Sequence, residues 1–146
     1  GNNFGQLAQN NLVSYSSPVQ IPGTTWKVIR ADEGALMHGI KTDGTLWSWG
    51  VNTTGQLGLN NRESYSSPIQ IPGTTWVDLD VGDKGVIANK SDGTLWSWGY
   101  NKRGALGQNS TSTTYYSSPV QIPGTNWSTS LYAVGRHSTS NLAIKT

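Results

Sequence analysis

The octapeptide Asp-Gly-Thr-Leu-Trp-Ser-Trp-Gly occurs twice without a change, at residues 43–50 and 92–99. Two identical blocks of this length mean a repeat protein, and a repeat restricts the fold to units that bury their apolar faces against copies of themselves. Asp43-Gly44 and Asp92-Gly93 read as two-residue hairpin turns, because glycine takes positive φ freely and aspartate tolerates it better than most residues. A strand must follow each turn. Along it Trp47 and Trp49 point to one side while Leu46 and Ser48 point to the other, and Trp96 and Trp98 stand in the same relation to Leu95 and Ser97. A sheet with one bulky and one small face suits a stack in which the bulky face of one sheet fills the small face of the next. Asp43, Gly44, Trp47, Trp49 and Gly50, with Asp92, Gly93, Trp96, Trp98 and Gly99, are therefore the expected structural residues.

The rest of the chain repeats around these blocks. Residues 1–10 match 51–58 and 100–107, the loop after each Trp strand, so the first copy begins where an upstream Trp strand would end. Residues 16–26 recur as 66–76 and 117–127. Within them Val/Ile-Gln-Ile between two prolines reads as a short strand at a sheet edge, where a missing N–H does no harm. Beyond the Pro-Gly turn the copies diverge: 76–81 alternates cleanly as a strand, whereas 26–31 and 127–134 keep part of that pattern. The third copy is also longer here and carries an insertion at 112–114. Residues 36–42, 85–91 and 140–146 are equivalent strands, leading into Asp-Gly where it is present.

Each unit is thus four short strands, in the order inner, second, Trp strand and Pro-flanked outer strand. Four strands over roughly 50 residues are the signature of a β-propeller blade. The expected fold is all-β, with antiparallel four-stranded blades and about three repeats, roughly 1–50, 51–99 and 100–146, in a partial propeller domain covering 1–146. Propellers have about four to eight blades, and this chain stops at Lys145-Thr146, where its sister repeats continue into Asp-Gly. A portion of a larger, six- or seven-bladed propeller is expected, completed by the remainder of a longer chain or by neighbouring subunits.

Composition narrows the function classes. Eighteen Gly and six Pro would suggest disorder, but seven Trp and six Tyr in periodic positions supply the apolar area that a core needs. No apolar run approaches the ~20 residues of a membrane span. A net charge of +2, with ten Lys/Arg scattered along the chain, does not make the basic stripe of a nucleic-acid interface. With no cysteine there are neither disulfides nor Cys-based zinc sites.

Units reading approximately His-Ser-Leu-Ala-Leu-Lys, Asp-Gly, a Trp-Gly ending and then Asn-x-x-Gly-Gln-Leu-Gly characterise the regulator of chromosome condensation repeat family, which this chain resembles over almost every residue. One departure is that the family's His falls at Leu36, Gly85 and Ser140. The family includes a seven-bladed nuclear exchange factor for a small GTPase, a secreted β-lactamase inhibitor, and bacterial and phage repeat proteins of unassigned role. The near-identical repeats are most similar to the last group, which implies a bacterial or phage surface protein in an extracellular or virion setting.

Candidate chemistry is thin. Asp43 and Asp92 are consumed by turns, and Asp78 and Asp80 occur in one repeat only, so no carboxylate pair recurs to act as acid and base. His38 stands where sister repeats have Ile87 and Leu142 and reads as a polar substitution on a buried strand; His137 falls in a loop. Two lone histidines make no metal site. Glycine-rich segments such as 104–107 lack the Lys-Ser/Thr of a phosphate loop. The triplets starting at Asn52, Asn109 and Asn126 fit the glycosylation pattern, as chance predicts in a chain this rich in Asn, Ser and Thr.

The expectation is a non-enzymatic binding or structural module with no catalytic residues, cofactor or metal, displaying loops from a rigid propeller to an unknown protein or surface ligand. The divergent segments 27–34, 78–85 and 128–138, with the insertion at 110–116, are the expected contact loops. The alternatives are a guanine-nucleotide exchange factor for a small GTPase and, below it, a protein inhibitor of an enzyme.

Overall fold

The computed structural model describes residues 1–32, 35–110 and 113–127. Its strands form two four-stranded antiparallel sheets. The first takes β1 (Trp26–Asp32), β2 (Leu36–Lys41), β3 (Leu46–Gly50) and β4 (Tyr65–Ile71) in sequential order. The second repeats it with β5 (Trp76–Gly82), β6 (Gly85–Lys90), β7 (Leu95–Asn101) and β8 (Thr114–Ile122). These are all-β propeller blades, with the Trp strand third and the Pro-containing strand at the edge. Each sheet takes its first three strands from one sequence repeat and its outer strand from the next.

The first Pro-flanked copy departs from expectation, because residues 16–21 form no strand. β4 and β8 owe their extended form to hydrogen bonds with the Trp strands β3 and β7. Among the described residues no such partner lies beside 16–21. The Val/Ile-Gln-Ile pattern is a strand only when a neighbour supplies the ladder. The expected inner and second strands of the third repeat, and His137, fall at 128–146, outside the described residues.

The Asp-Gly turns also differ from the two-residue hairpins the sequence suggests. Lys41 N–H donates to the Thr45 carbonyl at 3.0 Å and Gly44 N–H to the Lys41 carbonyl at 3.0 Å, so the loop is the three residues 42–44. Only Gly44 has positive φ, at 79°; Asp43 does not. The same pair of bonds closes 90–94. Asp43 serves the turn through its side chain instead, its Oδ1 accepting from Thr45 N–H at 3.0 Å and Thr45 Oγ1 at 2.7 Å. Freed of the tight hairpin, the turn reaches the next blade: the Gly44 carbonyl accepts from Trp76 N–H, and the Gly93 carbonyl from Trp127 N–H, each at 3.1 Å.

The two sheets pack face to face as their alternation dictates. Leu36, Ile40 and Leu46 of the first blade, with Leu57 of its following loop, bury against Trp76, Leu79, Val86 and Trp98 of the second. Trp98 and Trp49 are fully buried, whereas Trp47 and Trp96 are half-buried. Full burial of a Trp removes on the order of 200 Å² from water and contributes about 5 kcal/mol before entropy.

Trp98→Ala is accordingly expected to destabilise the fold by about 3–5 kcal/mol in urea melts. Trp47→Ala should cost less, because its ring keeps part of its water. A loss below about 1 kcal/mol for Trp98→Ala would contradict its placement between the blades.

Candidate functional site

What recurs in both blades is a junction. Asn52 opens the loop after β3; it is fully buried, accepts from Leu57 N–H at 2.9 Å and donates to the Asn61 carbonyl at 3.1 Å. Asn2 and Asn101 do the same, accepting from Leu7 N–H at 2.9 Å and Leu106 N–H at 3.1 Å. Each loop is thereby wrapped around one amide. It is then bonded from two sides. Ser48 Oγ donates to the Leu57 carbonyl at 2.7 Å from its own blade, and Trp98 Nε1 donates to the Gln56 carbonyl at 3.0 Å from the next. Trp49 Nε1 likewise reaches the Gln6 carbonyl at 2.9 Å. A Cβ on Gly58 would stand 2.8 Å from Trp98 Nε1, whereas the equivalent position of the first repeat holds the buried Ala8, also at positive φ. Buried Asn52 cannot also be a glycosylation acceptor.

Beside each junction opens a groove. In the first, Lys41 Nζ lies 4.0 Å from the Trp47 ring centre and 5.0 Å from that of Trp26. In the second, Lys90 Nζ lies 4.4 Å from Trp96 and 4.6 Å from Trp76. Trp47 and Trp96 are oriented by a relay that starts in the Asp-Gly turn: Trp47 Nε1 donates to Thr45 Oγ1 at 2.8 Å, and Trp96 Nε1 to Thr94 Oγ1 at 2.9 Å, with each threonine hydroxyl passed on to its aspartate. Hydrogen bonds from Thr45 and Thr94 hold the Asp43 and Asp92 carboxyls below the usual carboxylate range, so neither is a candidate general acid at neutral pH. Cavities of about 440 and 310 Å³ lie against these rings.

Of the residues expected to be structural, Trp47 and Trp96 wall the grooves, Asp43, Gly44, Asp92 and Gly93 form the turns that aim them, and Trp49 and Trp98 lie at the junctions. Gly50 and Gly99 have positive φ and sit against the Ala35 and Lys84 carbonyls. The lysines and asparagines were not among the expected residues, though Lys41 and Lys90 each stand two residues before Asp-Gly and the asparagines recur after each Trp strand.

The divergent segments are largely not loops. Residues 27–32 and 78–82 belong to the inner strands β1 and β5, and 114–116 to β8. The inner strands meet through Arg30 Nη2 and Asp78 Oδ1 at 3.4 Å. Of 83–84, Asp83 and Lys84 are exposed with positive φ, and Lys84 N–H donates to Asp32 Oδ2 at 3.4 Å. Among the described residues no three His, Cys, Asp or Glu side chains gather as metal ligands would, and no helix is long and apolar enough to cross a membrane.

The sequence pattern of the regulator of chromosome condensation (RCC1) repeat matches residues 43–88 and 92–141, more than half of the chain. The chain belongs to the RCC1 repeat family. Human WBSCR16 has a similar fold, with a TM-score of 0.68 at 21% identity over 84% of this chain and 33% of that one. The structure of Kap60 bound to yeast RCC1 (Prp20) contains a chain similar at a TM-score of 0.66 and 18% identity, over 86% of this chain and 33% of that one. The chain therefore spans about a third of the length of either. No curated protein sequence matches it significantly.

Among the described residues of this RCC1-repeat chain, His38 is the one titratable group buried in a junction. It is fully buried, 5.8 Å from the Trp98 ring, and neither ring nitrogen makes a hydrogen bond of good geometry. Burial pushes its pKa from 6.5 down to about 3, against a smaller opposing pull from the Gln56 backbone. Below pH 6.5 the unfolded chain takes up a proton that the folded chain refuses until about pH 3, so stability falls with pH across that window. The slope approaches about 1.4 kcal/mol per pH unit. Asp43 and Asp92 lose their contributions only at lower pH, as the solution falls through their depressed values. His38→Ile, the residue of the sister strand, is expected to flatten the loss seen in urea melts between about pH 6 and 4.5 and to raise stability at pH 7. An unchanged slope would show that another group titrates.

Proposed function

We propose that the chain is part of a non-enzymatic binding module, two of whose consecutive blades are described here, within a larger closed propeller. The observation that carries this reading is the division of labour between repeated and divergent residues. The hydrogen-bonded frame of the junctions recurs in both blades, while the inner strands β1 and β5 and the turn at 83–84 differ in charge and place Lys27, Asp83 and Lys84 in solvent. A scaffold held constant under a variable charged edge suits recognition better than chemistry. The likeness to a chain in a complex, Kap60 with yeast RCC1 (Prp20), supports a protein as the class of partner. Nucleotide exchange and enzyme inhibition draw no observation of their own.

The triple variant Lys27→Ala/Asp83→Ala/Lys84→Ala is expected to fold normally and to lose most of a partner that the intact protein retains in affinity capture with mass-spectrometric identification. Equal capture by the variant, or release of nucleotide from a small GTPase by catalytic amounts of the intact protein, would overturn this use of the edge.

Closure is supported by the repeated blade-to-blade fastening and by structural relatives that are about two and a half times as long. The natural protein is expected to have the mass of a six- or seven-bladed ring, in one chain or as an oligomer. Residues 1–146 expressed alone as a soluble monomer with a cooperative melt would contradict it.

A further inference from the structure

We propose that the grooves between blades are repeated subsites for an acidic saccharide chain, with sugar faces on the half-buried Trp26, Trp47 and Trp96 rings and a carboxylate or sulfate at the lysine. This rests on the binding-module reading and names a ligand class for the grooves, whose linings take only Trp26 and Trp76 from the inner strands.

The two grooves are built from equivalent residues. Trp26, Lys41, Trp47 and Pro68 line one side of the first and Trp76, Lys90, Trp96 and Pro119 that of the second, faced in each by the Pro22 or Pro72 turn of the preceding blade and by Asn10 or Asn60. In both linings lysine is the only charged side chain. Among the described residues neither ammonium has an ion pair within 4 Å or a hydrogen-bond acceptor. Asp43 and Asp92 are close enough to feel the lysine charge, but their carboxylates are engaged by threonine. Among the described residues each lysine therefore lies on an aromatic wall without a direct ion pair, its charge answered only at longer range by Asp43 or Asp92. Neither indole N–H at the base of the grooves is open to a ligand, since that of Trp76 is buried and the equivalent Trp26 N–H donates to the Pro22 carbonyl at 3.1 Å.

Sugars fit such a wall because one face of a pyranose carries only C–H bonds, which pack on an indole, while its rim carries hydroxyls for the amide and carbonyl groups around the groove. Indole faces and amide rims are the usual composition of small polar-ligand sites. An ammonium between rings adds selectivity for an anionic unit, because its charge is only partly answered by the ring quadrupoles. A groove at each of two successive described junctions matches a polymer with repeating units, and linked weak sites gain avidity by about 10²-fold or more.

The test is titration of the full chain with heparin-derived and oligogalacturonate oligosaccharides, with dextran as neutral control, followed by tryptophan fluorescence and calorimetry. The expected result is salt-sensitive binding of at least one acidic oligosaccharide, a weakening of about tenfold or more in Lys41→Met/Lys90→Met, and retention in Lys41→Arg/Lys90→Arg. Lys27→Met/Lys84→Met, with the same change of charge, should bind as the original does. Absence of binding by either acidic oligosaccharide, equal binding of dextran, or equal loss in Lys27→Met/Lys84→Met would overturn the proposal. So would a Lys41→Met/Lys90→Met protein that melts lower yet binds unchanged, which would make the lysines structural clamps. Capture of a protein partner through the inner strands survives any of these failures, so the two readings separate.

Discussion

Each loop that follows a Trp strand is held from both sides, and the order of the blades depends on that. A buried indole N–H without an acceptor costs on the order of 1–3 kcal/mol. Trp98 avoids that cost only because the Gln56 carbonyl is already in place, and the carbonyl is in place because Asn52 has wrapped the loop and Ser48 has fastened it to its own sheet. Asparagine is suited to the post because one side chain both accepts and donates, closing two backbone bonds at once. The ring of Trp98 then packs against Gly58 and His38 of the preceding blade. Hydrogen bonding and apolar burial specify the same docking, so a blade displaced along its neighbour would lose both.

Much of this was legible in sequence because it is local or periodic. The alternation Leu-Trp-Ser-Trp set two unlike faces, and its exact recurrence implied that they meet. What was not legible depends on partners distant in sequence. Residues 16–21 have the same pattern as β4 and β8 and differ only in lacking a strand to pair with, which no local propensity reports. Asp-Gly suggested the shortest hairpin, but the aspartate is worth more as an acceptor for Thr45 than as a residue of positive φ. The divergent segments read as loops because variability and surface position usually go together. Here they are inner strands, whose outward side chains vary while their backbone stays in the ladder.

The candidate groove was hidden for a related reason. Lys41 and Lys90 look like ordinary solvated lysines at a strand end, and Trp26 and Trp76 look like the start of a different strand. Pairing of β1 with β2 and β5 with β6 brings Trp26 opposite Lys41 and Trp76 opposite Lys90, and the next strand brings the second ring. The octapeptide contributes to the groove as well as to the core. Its aspartate fixes its threonine, and its threonine fixes the first of its two tryptophans at the surface, while the second goes inside. One motif thus supplies a buried face for stability and an oriented ring for contact.

Repetition also explains how a residue as poorly placed as His38 is tolerated. In a chain of stacked blades stability is close to a sum of blade terms and junction terms, so a loss at one junction is spread over the whole stack. Ile87 shows what the same strand position holds when optimised for burial, and the buried, unpaired Nε2 of Gln56 beside the Trp98 junction marks a second imperfection there. Both belong to the first blade's junction, whereas Ser97, Leu106 and Asn101 repeat the fastening of the second without a titratable group. The junction carrying His38 is therefore where opening should begin as acid is added, since proton uptake favours any state in which that ring reaches water, while the second blade has no equivalent group to follow it.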